Sequence, residues 1–337
     1  MEKPIKTGLL SFGMSGKIFH SPFQNAHDGF DLTAVVERSE KKAKNVYPYI
    51  KSYDCIDELL EDQNIELVVV NTPNTTHFEY AMKCLRAGKH VLMEKPFTVT
   101  SNEARQLFQE ANRLRLKILP YQNRRYDSDC ISVKNIIDSG KLGQLVEVHI
   151  RYDRFRNTIS PKIFKEMPIP GSGLMYDLGP HLLDQAISLF GRPLRWSKTL
   201  GLFRKNSQVD DYVHFHLEFP QGLNVFLTAS LMVIDAQPGF VIHGTKGSFI
   251  KQRADSQEKQ LLEGMSPKNP KFGIEEAGKE GILTTLAEDG SFFQEKIPSE
   301  KSSYLNLYDQ VFQCIRKEKL FPVTEAQIIQ QLEILEG

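Results

Sequence analysis

Ile5-Lys6-Thr7-Gly8-Leu9-Leu10-Ser11-Phe12-Gly13-Met14-Ser15-Gly16 is the stretch that decides the fold. Ile5 to Phe12 reads as a short apolar strand, and Met14 to His27 as the helix that follows it. Between them lies a G-x-G-x-x-G pattern with serine in its first place: Ser11, Gly13, Gly16. A glycine at Gly13 lets backbone approach a pyrophosphate, and one at Gly16 lets the helix pack close to the strand. The helix N-terminus then offers N–H groups and the positive end of its dipole to phosphates. On this reading Ser11, Phe12, Gly13, Met14, Ser15 and Gly16 cradle a dinucleotide. A strand-to-helix turn that only needs small residues would show the same letters, so the surrounding order has to decide.

That order repeats the alternation. Leu32 to Val36 is a second strand, a charged helix is expected from Ser39, and Ile56 to Leu60 forms a short helix. Glu66 to Val70 is a continuous apolar run, as a strand buried on both faces requires. A helix spans Thr76 to Ala87, a strand His90 to Met93, and Thr100-x-x-Glu103 is a capping-box pattern before the next helix. Leu116 to Pro120 is the last strand. Strands alternating with helices of this length imply a parallel, doubly wound sheet.

Past residue 122 the period changes. Val213, Phe215, Leu217 and Phe219 share one face of a strand; His214, His216 and Glu218 take the other. Leu223 to Leu231 repeats this, and so do Val146, Val148, Ile150 and Tyr152. Period-two alternation marks a half-buried, mostly antiparallel sheet. A helix is expected from Pro180, a residue suited to the first helical position, to Phe190. Two more helices near 303–317 and 324–335 close the chain. The Lys-, Glu- and Gly-rich stretch 252–281 reads as an exposed loop excursion. The expected fold is therefore α/β. Residues 1–122 form a Rossmann dinucleotide-binding domain. Residues 123–337 form an α+β domain with a large, mostly antiparallel open sheet for substrate binding and oligomerisation.

Composition narrows the function. The 337 residues are 40% hydrophobic and 25% charged, an ordinary globular balance that supports two domains. Lys+Arg and Asp+Glu are both 42, so no basic excess is available to neutralise phosphates, and nucleic acid is not an expected partner. Cys55, Cys84, Cys130 and Cys314 are scattered, which indicates neither a zinc site nor a disulfide framework. No apolar run approaches the ~20 residues of a membrane helix. The start Met1-Glu2-Lys3-Pro4 is polar, and a reducing cytoplasm is the expected location.

The candidate chemistry sits where strands end. Ligands of open α/β sheets bind at the carboxyl ends of the strands. At the second strand's end stand Glu37, Arg38 and Ser39. An acidic residue there holds the ribose hydroxyls of NAD, whereas a neighbouring arginine accommodates the 2′-phosphate of NADP. Both are present; Arg38 with Ser39 makes a phosphate pocket and tips the expectation towards NADP. Thr72, Pro73, Asn74 and His77 follow the next buried strand, either as a cofactor-lining turn or as an ordinary helix cap. Glu94-Lys95-Pro96 follows the strand after that. A partly desolvated lysine has a lowered pKa and can exchange a proton beside a hydride-transfer centre; the alternative is a surface ion pair before a turn. His181 and Asp184 are three apart, hence on one helix face, with Asp177 just before the helix, and the trio suits a histidine proton shuttle oriented by carboxylates. Asp177 could also simply cap the helix. A metal is not expected, because no second His or Cys accompanies the trio at ligand spacing. Asn123 to Asp127 and Tyr152 to Arg156 are dense in hydrogen-bonding groups that suit a polyol, or equally an ion-pair cluster.

In order and spacing these motifs resemble the glucose-fructose oxidoreductase / inositol dehydrogenase / rhizopine catabolism (Gfo/Idh/MocA) family. Gly13 to His20, Tyr121 to Arg125 and Val209 to Tyr212 resemble most its branch of NADP-dependent scyllo-inositol dehydrogenases. The resemblance covers nearly the whole chain. It implies reversible hydride transfer between nicotinamide and a sugar or cyclitol carbon. Lys95 would be the proton-transfer lysine, completed by Asp177 and by His181 as proton-accepting partner. Thr72, Pro73, Asn74, His77, Glu94 and Asn123 would join the fingerprint at the cofactor, and Tyr126, Tyr152 and Arg154 would join the catalytic set at the substrate. A homodimer or homotetramer built through the second domain's sheet is implied. An NAD-using epimerase or glycosidase without net redox, and a non-catalytic NAD(P)-binding regulator, are the competing expectations. Several features depart from the branch. Ser11 stands for glycine and Glu37 precedes Arg38. Ile163-Phe164-Lys165 replaces an Arg-Trp pair, so that loop would contact ligand differently. The chain ends at Gly337, where the family commonly continues with one more strand.

Overall fold

The first sheet is built where the sequence is most apolar. In the computed structural model, which describes residues 2–160 and 166–337, Leu67–Val70 (β4) is buried at every position. It lies beside Ile5–Leu9 (β1) and His90–Met93 (β5), followed outward by Ile118–Pro120 (β6) on one side and Phe30–Val36 (β2) and Lys51–Tyr53 (β3) on the other. The order is β3-β2-β1-β4-β5-β6 and every pairing is parallel. Strand order reverses between β1 and β4, and the crevice above that reversal is where such sheets bind ligands.

Three local expectations change. The helix after β1 begins at Gly16 with a π-helical turn to His20 and continues as Ser21–Ala26 (α1). Pro22 has no N–H for the carbonyl four residues back, so the ladder widens there. The charged helix expected from Ser39 is only a short turn at Ala43–Asn45. Glu37 draws the Lys42 and Ala43 N–H groups onto its carboxylate, and Lys41 Nζ donates to the Glu37 and Tyr53 carbonyls, so the segment wraps a side chain instead of coiling. The chain then adds β3, an edge strand not expected from its three residues. Helices Ile56–Glu61 (α2), His77–Arg86 (α3) and Ser101–Leu114 (α4) fall where expected. Thr100 and Glu103 make the reciprocal capping box at the start of α4.

The first compact unit comprises Met1–Asn123, Gln257–Phe272 and Ser303–Leu332, so the chain returns to it twice after residue 122. The reason is aromatic. Phe23 on α1 stacks on Tyr308 at 6.1 Å and meets Tyr304 and Phe272 at 5.5 and 6.0 Å. Phe272 is 1% exposed and Leu261 8%, so 252–281 is not a solvated excursion; it carries Ser256–Leu262 (α7) and a core residue. Leu305–Lys317 (α8) supplies Tyr308, and Glu325–Glu336 (α9) follows.

The second unit is Arg124–Ser256, Gly273–Ser302 and Glu333–Gly337. Its sheet consists of Leu145–Asp153 (β7), Arg195–Gly201 (β8), Tyr212–Glu218 (β9), Asn224–Ser230 (β10), Phe240–Gly244 (β11), Gly247–Lys251 (β12), Gly281–Leu286 (β13) and Phe292–Ile297 (β14). The order is β14-β13-β12-β11-β7-β10-β9-β8, antiparallel except for the β7–β10 pair. Val148, Ile150, Val213, Phe215, Leu217, Val225 and Leu227 are fully buried, as the alternation requires. Ser128–Asp138 (α5) and Gly173–Phe190 (α6) lie in this unit. Thus α6 starts seven residues before Pro180, which sits inside the helix rather than at its first position. Gly179 faces Leu335 and Phe215, where a Cβ would stand 3.1 and 3.5 Å away, so the helix lies close on β9.

Candidate functional site

In the first unit two loops meet at the strand-order reversal. Asn71, at the end of β4, donates from Nδ2 to the Ser11 carbonyl after β1 (2.9 Å). A Cβ on Gly16 would stand 2.2 Å from that same carbonyl oxygen and 3.2 Å from Asn71 Nδ2. Glycine is therefore required at 16 by the protein itself. At Gly13 the nearest atom to a built Cβ is Ser11 Oγ at 3.4 Å, so nothing in the chain demands glycine there. Open space beside backbone N–H groups is what an approaching phosphate needs. Ser11, in place of the first glycine, folds its hydroxyl back to accept the Gly13 N–H (3.2 Å). Phe12 is buried beneath the loop, and Met14 is 48% exposed.

Glu94 ties this loop to the carboxyl end of β5. Its Oε1 accepts from Ser15 Oγ (2.6 Å) and His20 Nε2 (2.9 Å), and its Oε2 accepts the Lys95 N–H (3.2 Å). Burial works against its ionisation, but the His20 and Ser15 bonds and the Lys95 charge prevail and bring its pKa down to about 2. His20 is fully buried, and its Nδ1 lies 2.7 Å from Tyr308 Oη. A side-chain chain thus runs Ser15–Glu94–His20–Tyr308. His20 and Tyr308 were not singled out as functional by the sequence reading; the Gly13–His20 motif held the signal. Lys95 is half-buried and joined to Pro96 by a cis peptide bond.

His77, expected to line the cofactor, is 1% exposed. Its Nδ1 is 2.8 Å from the Pro96 carbonyl and its Nε2 2.9 Å from the Thr72 carbonyl. Burial lowers its pKa despite those two carbonyls. The ring is a strut between the Thr72 turn and the Glu94-Lys95-Pro96 turn. Thr72 Oγ1 pairs with Thr76 Oγ1 (2.7 Å), and Pro73 and Asn74 occupy the turn between them.

Glu37 does not present a carboxylate to solvent. Its Oε1 accepts the Lys42 and Ala43 N–H groups (2.8 and 3.0 Å), its Oε2 accepts from Ser52 Oγ (2.6 Å), and it is 8% exposed. Arg38 and Ser39 are exposed beside it. The acidic residue at the ribose position is spent on its own loop. Asn123, 6% exposed, opens the Asn123–Tyr126 turn at the end of this unit.

In the second unit Asp177 and His181 project from the first turns of α6, four residues apart and hence on one face. His181 is 6% exposed, and its ring centroid lies 6.3 Å from that of Tyr152 on β7. Arg253 lies over the other rings here, 3.8 Å from Tyr152 and 4.4 Å from Phe240. That arginine was missed, because its stretch read as a loop. Asp184 is not the second carboxylate of a shuttle: both its oxygens accept from Arg125 at 2.8 Å. Arg124 pairs with Asp127 and Asp255 at 3.2 and 2.7 Å, so this cluster is one of ion pairs. Tyr126, in the same turn, is half-buried. Arg154, just past β7, is held by backbone bonds to Ser230 and Val233. The Phe164 loop expectation lies outside the described residues. Among the described residues no group of three His, Cys, Asp or Glu is placed to hold a metal.

Tyr152 Oη is buried with no hydrogen-bond partner among the described residues, and burial raises its pKa. A buried hydroxyl without a partner costs about 1–3 kcal/mol, and a substrate hydroxyl would relieve it. Tyr152→Phe is therefore expected to leave thermal stability unchanged or slightly raised. It should raise KM for the substrate by about tenfold, the equivalent of ~1.4 kcal/mol for a lost hydrogen bond. A drop in melting temperature with KM unmoved would assign the hydroxyl to the fold instead.

Two family models match the chain. One, the oxidoreductase family with NAD-binding Rossmann fold, matches residues 5–121; the other, the GFO/IDH/MocA C-terminal domain, matches residues 131–250. The chain belongs to the Gfo/Idh/MocA oxidoreductase family. Among Gfo/Idh/MocA relatives, an uncharacterized oxidoreductase of Schizosaccharomyces pombe is 39% identical over 99% of this chain and 96% of its own. The scyllo-inositol 2-dehydrogenase (NADP(+)) IolW of Bacillus subtilis is 33% identical over 99% of this chain and 92% of its own. The crystal structure of a Bacillus cereus oxidoreductase matches with a TM-score of 0.91 at 31% identity, covering 98% of this chain and 95% of that one. This Gfo/Idh/MocA protein is thus an NAD(P)-binding oxidoreductase, with the fold its sequence motifs implied. Among the described residues no helix is long and apolar enough to cross a membrane.

Proposed function

We propose that the protein is an NADP-preferring dehydrogenase acting on a hydroxyl-bearing carbon of a cyclitol or sugar. The observation that carries this reading is the loop pair joined by Asn71 and Ser11 at the strand-order reversal, with Glu94 and Lys95 at the end of the next strand. Gly13 leaves room for a pyrophosphate, so the residues fit a dinucleotide. When bound, the nicotinamide supplies or takes the hydride. The chain's own groups manage the proton and the alignment. Lys95 takes the proton of the substrate hydroxyl in oxidation and returns it in reduction. His181, set by α6, is the second proton carrier, and Asp177 on the same helix face orients it or the substrate. Glu94, loaded by Ser15 and His20, keeps a negative oxygen next to the Lys95 backbone and fixes the turn that carries the lysine. The substrate class rests on the named activity of IolW and on the hydrogen-bonding groups Tyr152, Arg154 and Tyr126. Assay of a panel of inositols and hexoses with NADP tests it; absence of turnover across the panel by protein that binds NADPH would remove the dehydrogenase reading.

Glu37 supports the NADP preference. Its carboxylate, held by two backbone N–H groups and Ser52, is withdrawn from the ribose, and exposed Arg38 and Ser39 remain to meet a 2′-phosphate. A charge-assisted hydrogen bond is worth about 1.5–3 kcal/mol. Arg38→Ala should therefore lower the NADPH-over-NADH ratio of kcat/KM by about 10- to 100-fold. An unchanged ratio would place the discrimination elsewhere.

The outward face of the second unit's sheet is proposed to meet a second copy. Side-chain pairs along it are Arg195 with Glu218, His149 with Glu147 and Arg151 with Asp153. The rings of His149, His214 and His216 surround Phe226 at 5.1, 6.0 and 4.7 Å. An aromatic cluster at the centre of an open face suits its own copy, and a monomeric mass in solution would oppose this. The four cysteines are free, which supports the cytoplasm as the proposed location.

A further inference from the structure

The start of α6 is set from far away in the sequence. Ser172, at its N-cap position, makes no side-chain capping bond. Asp210, just before β9, does the work instead. Its Oδ2 accepts the Met175 N–H at 2.6 Å, and its backbone carbonyl accepts the Leu174 N–H at 3.0 Å. Gly173 has φ +84°, and a Cβ there would stand 2.0 Å from Asp210 Oδ1. The first turn of the helix is thus fitted to one carboxylate. Asp177 comes two residues after Met175, and His181 one turn later on the same face.

Asp210 is itself held. Its neighbour Asp211, fully buried, accepts from the Phe203 and Arg204 N–H groups at 2.9 and 2.8 Å and from Arg204 Nε at 3.3 Å. Arg204 in turn pairs with Glu166 at 2.8 Å and donates to the Thr158 carbonyl at 3.2 Å. One short segment therefore grips both the reactive helix and the loop that leads away from β7.

We propose that Asp210 is a positioning residue for the proton-transfer pair Asp177 and His181, acting by clamping the first turn of α6. This rests on the dehydrogenase reading above. The clamp is sensitive to pH. Burial pushes the Asp210 carboxyl up to about 6, with the Asp211 carboxylate adding to it and the hydrogen bond from Met175 opposing. The charged group beside it is Asp211, which is itself held by Arg204. Above pH 6 the carboxylate is ionised and accepts at full strength; as pH falls below 6 it takes up a proton and the clamp weakens.

The test uses three chains: the unaltered protein, Asp210→Asn and Asp210→Ala. Asparagine keeps an acceptor oxygen but cannot titrate. Asp210→Ala is expected to lower kcat by about 10- to 100-fold, the cost of misplacing reacting groups by an ångström or less. KM for NADPH should be unchanged, because the candidate cofactor residues lie in the first unit. Asp210→Asn, which keeps a neutral acceptor oxygen as protonated Asp210 does, should hold kcat at pH 8 within about threefold of the unaltered protein, and the part of the acid limb that Asp210 adds below pH 6, of that same size, should be missing from its profile. Unchanged kcat in Asp210→Ala, or a pH profile in Asp210→Asn that coincides with that of the unaltered protein through pH 6, overturns the proposal. If the unaltered protein binds NADPH but turns over no polyol, the dehydrogenase reading fails, and NMR then judges the clamp alone. Shifted Asp177 and His181 amide resonances in Asp210→Ala, restored in Asp210→Asn, support it; unmoved resonances overturn it.

Discussion

Lys95→Ala is expected to cut turnover by about 10²- to 10⁴-fold, the usual worth of a positioned proton-transfer group. NADPH affinity should stay within a few-fold, because the pyrophosphate cradle and the Arg38 corner lie at other strand ends of the same sheet. The fold should also hold. Lys95 is half-buried rather than core, and the hydrogen bond made by its backbone N–H to Glu94 survives the substitution. The loss should therefore fall on kcat and on kcat/KM alike, as for an interaction made in the transition state. Turnover within a few-fold of the unaltered protein on a good substrate would take Lys95 out of the chemistry and leave it a structural role in its turn.

Gly16→Ala tests the other end of the same unit. A Cβ there meets the Ser11 carbonyl oxygen at 2.2 Å. That oxygen belongs to backbone and is fixed by Asn71, so no side-chain rotation relieves the clash. Overpacking costs about 1–3 kcal/mol, and here it can be relieved only by moving the loop that would hold the phosphates. Expected results are a melting temperature lower by several degrees and NADPH affinity weaker by more than about tenfold. Gly13→Ala is the informative partner. The protein has room for it, so its stability should be kept while its cofactor affinity falls. Equal loss of stability in both variants would mean that Gly13 also serves packing.

The contrast between those glycines shows what was legible. β4 and β5 could be read because Leu67 to Val70 and His90 to Met93 carry their own burial signal. The fingerprint was readable because its spacing is local. The Thr100–Glu103 box was too. What failed was set by partners that the local pattern does not name, most of them distant in sequence. Pro180 is a strong start signal, yet α6 starts seven residues earlier because Asp210 caps it. Glu37 stands where an acidic residue would hold a ribose, but the N–H groups of the next turn claim it. Asp184 has the right spacing from His181, but Arg125 takes both its oxygens. Polar composition made 252–281 look solvated, although the buried Phe272 and the ring-stacked Arg253 outweigh the lysines around them. Local pattern fixes which elements form. Which carboxylate is at liberty depends on cations and N–H groups that only the tertiary fold brings near.

The return of residues 303–332 to the first unit has a consequence for synthesis. Phe23 finds Tyr304 and Tyr308, and His20 finds the Tyr308 hydroxyl, only after all but the last few residues of the second unit have been made. At ribosomal rates of about 5–20 residues per second, the nascent β1–β6 sheet waits roughly 10–40 s with an aromatic face uncovered and Glu94 held from one side. A ribosome that stops early leaves a chain with its fingerprint loop complete but its floor missing. Such a fragment would leave Phe23 without the rings that cover it in the finished chain, so the last helices act as a seal on the first unit.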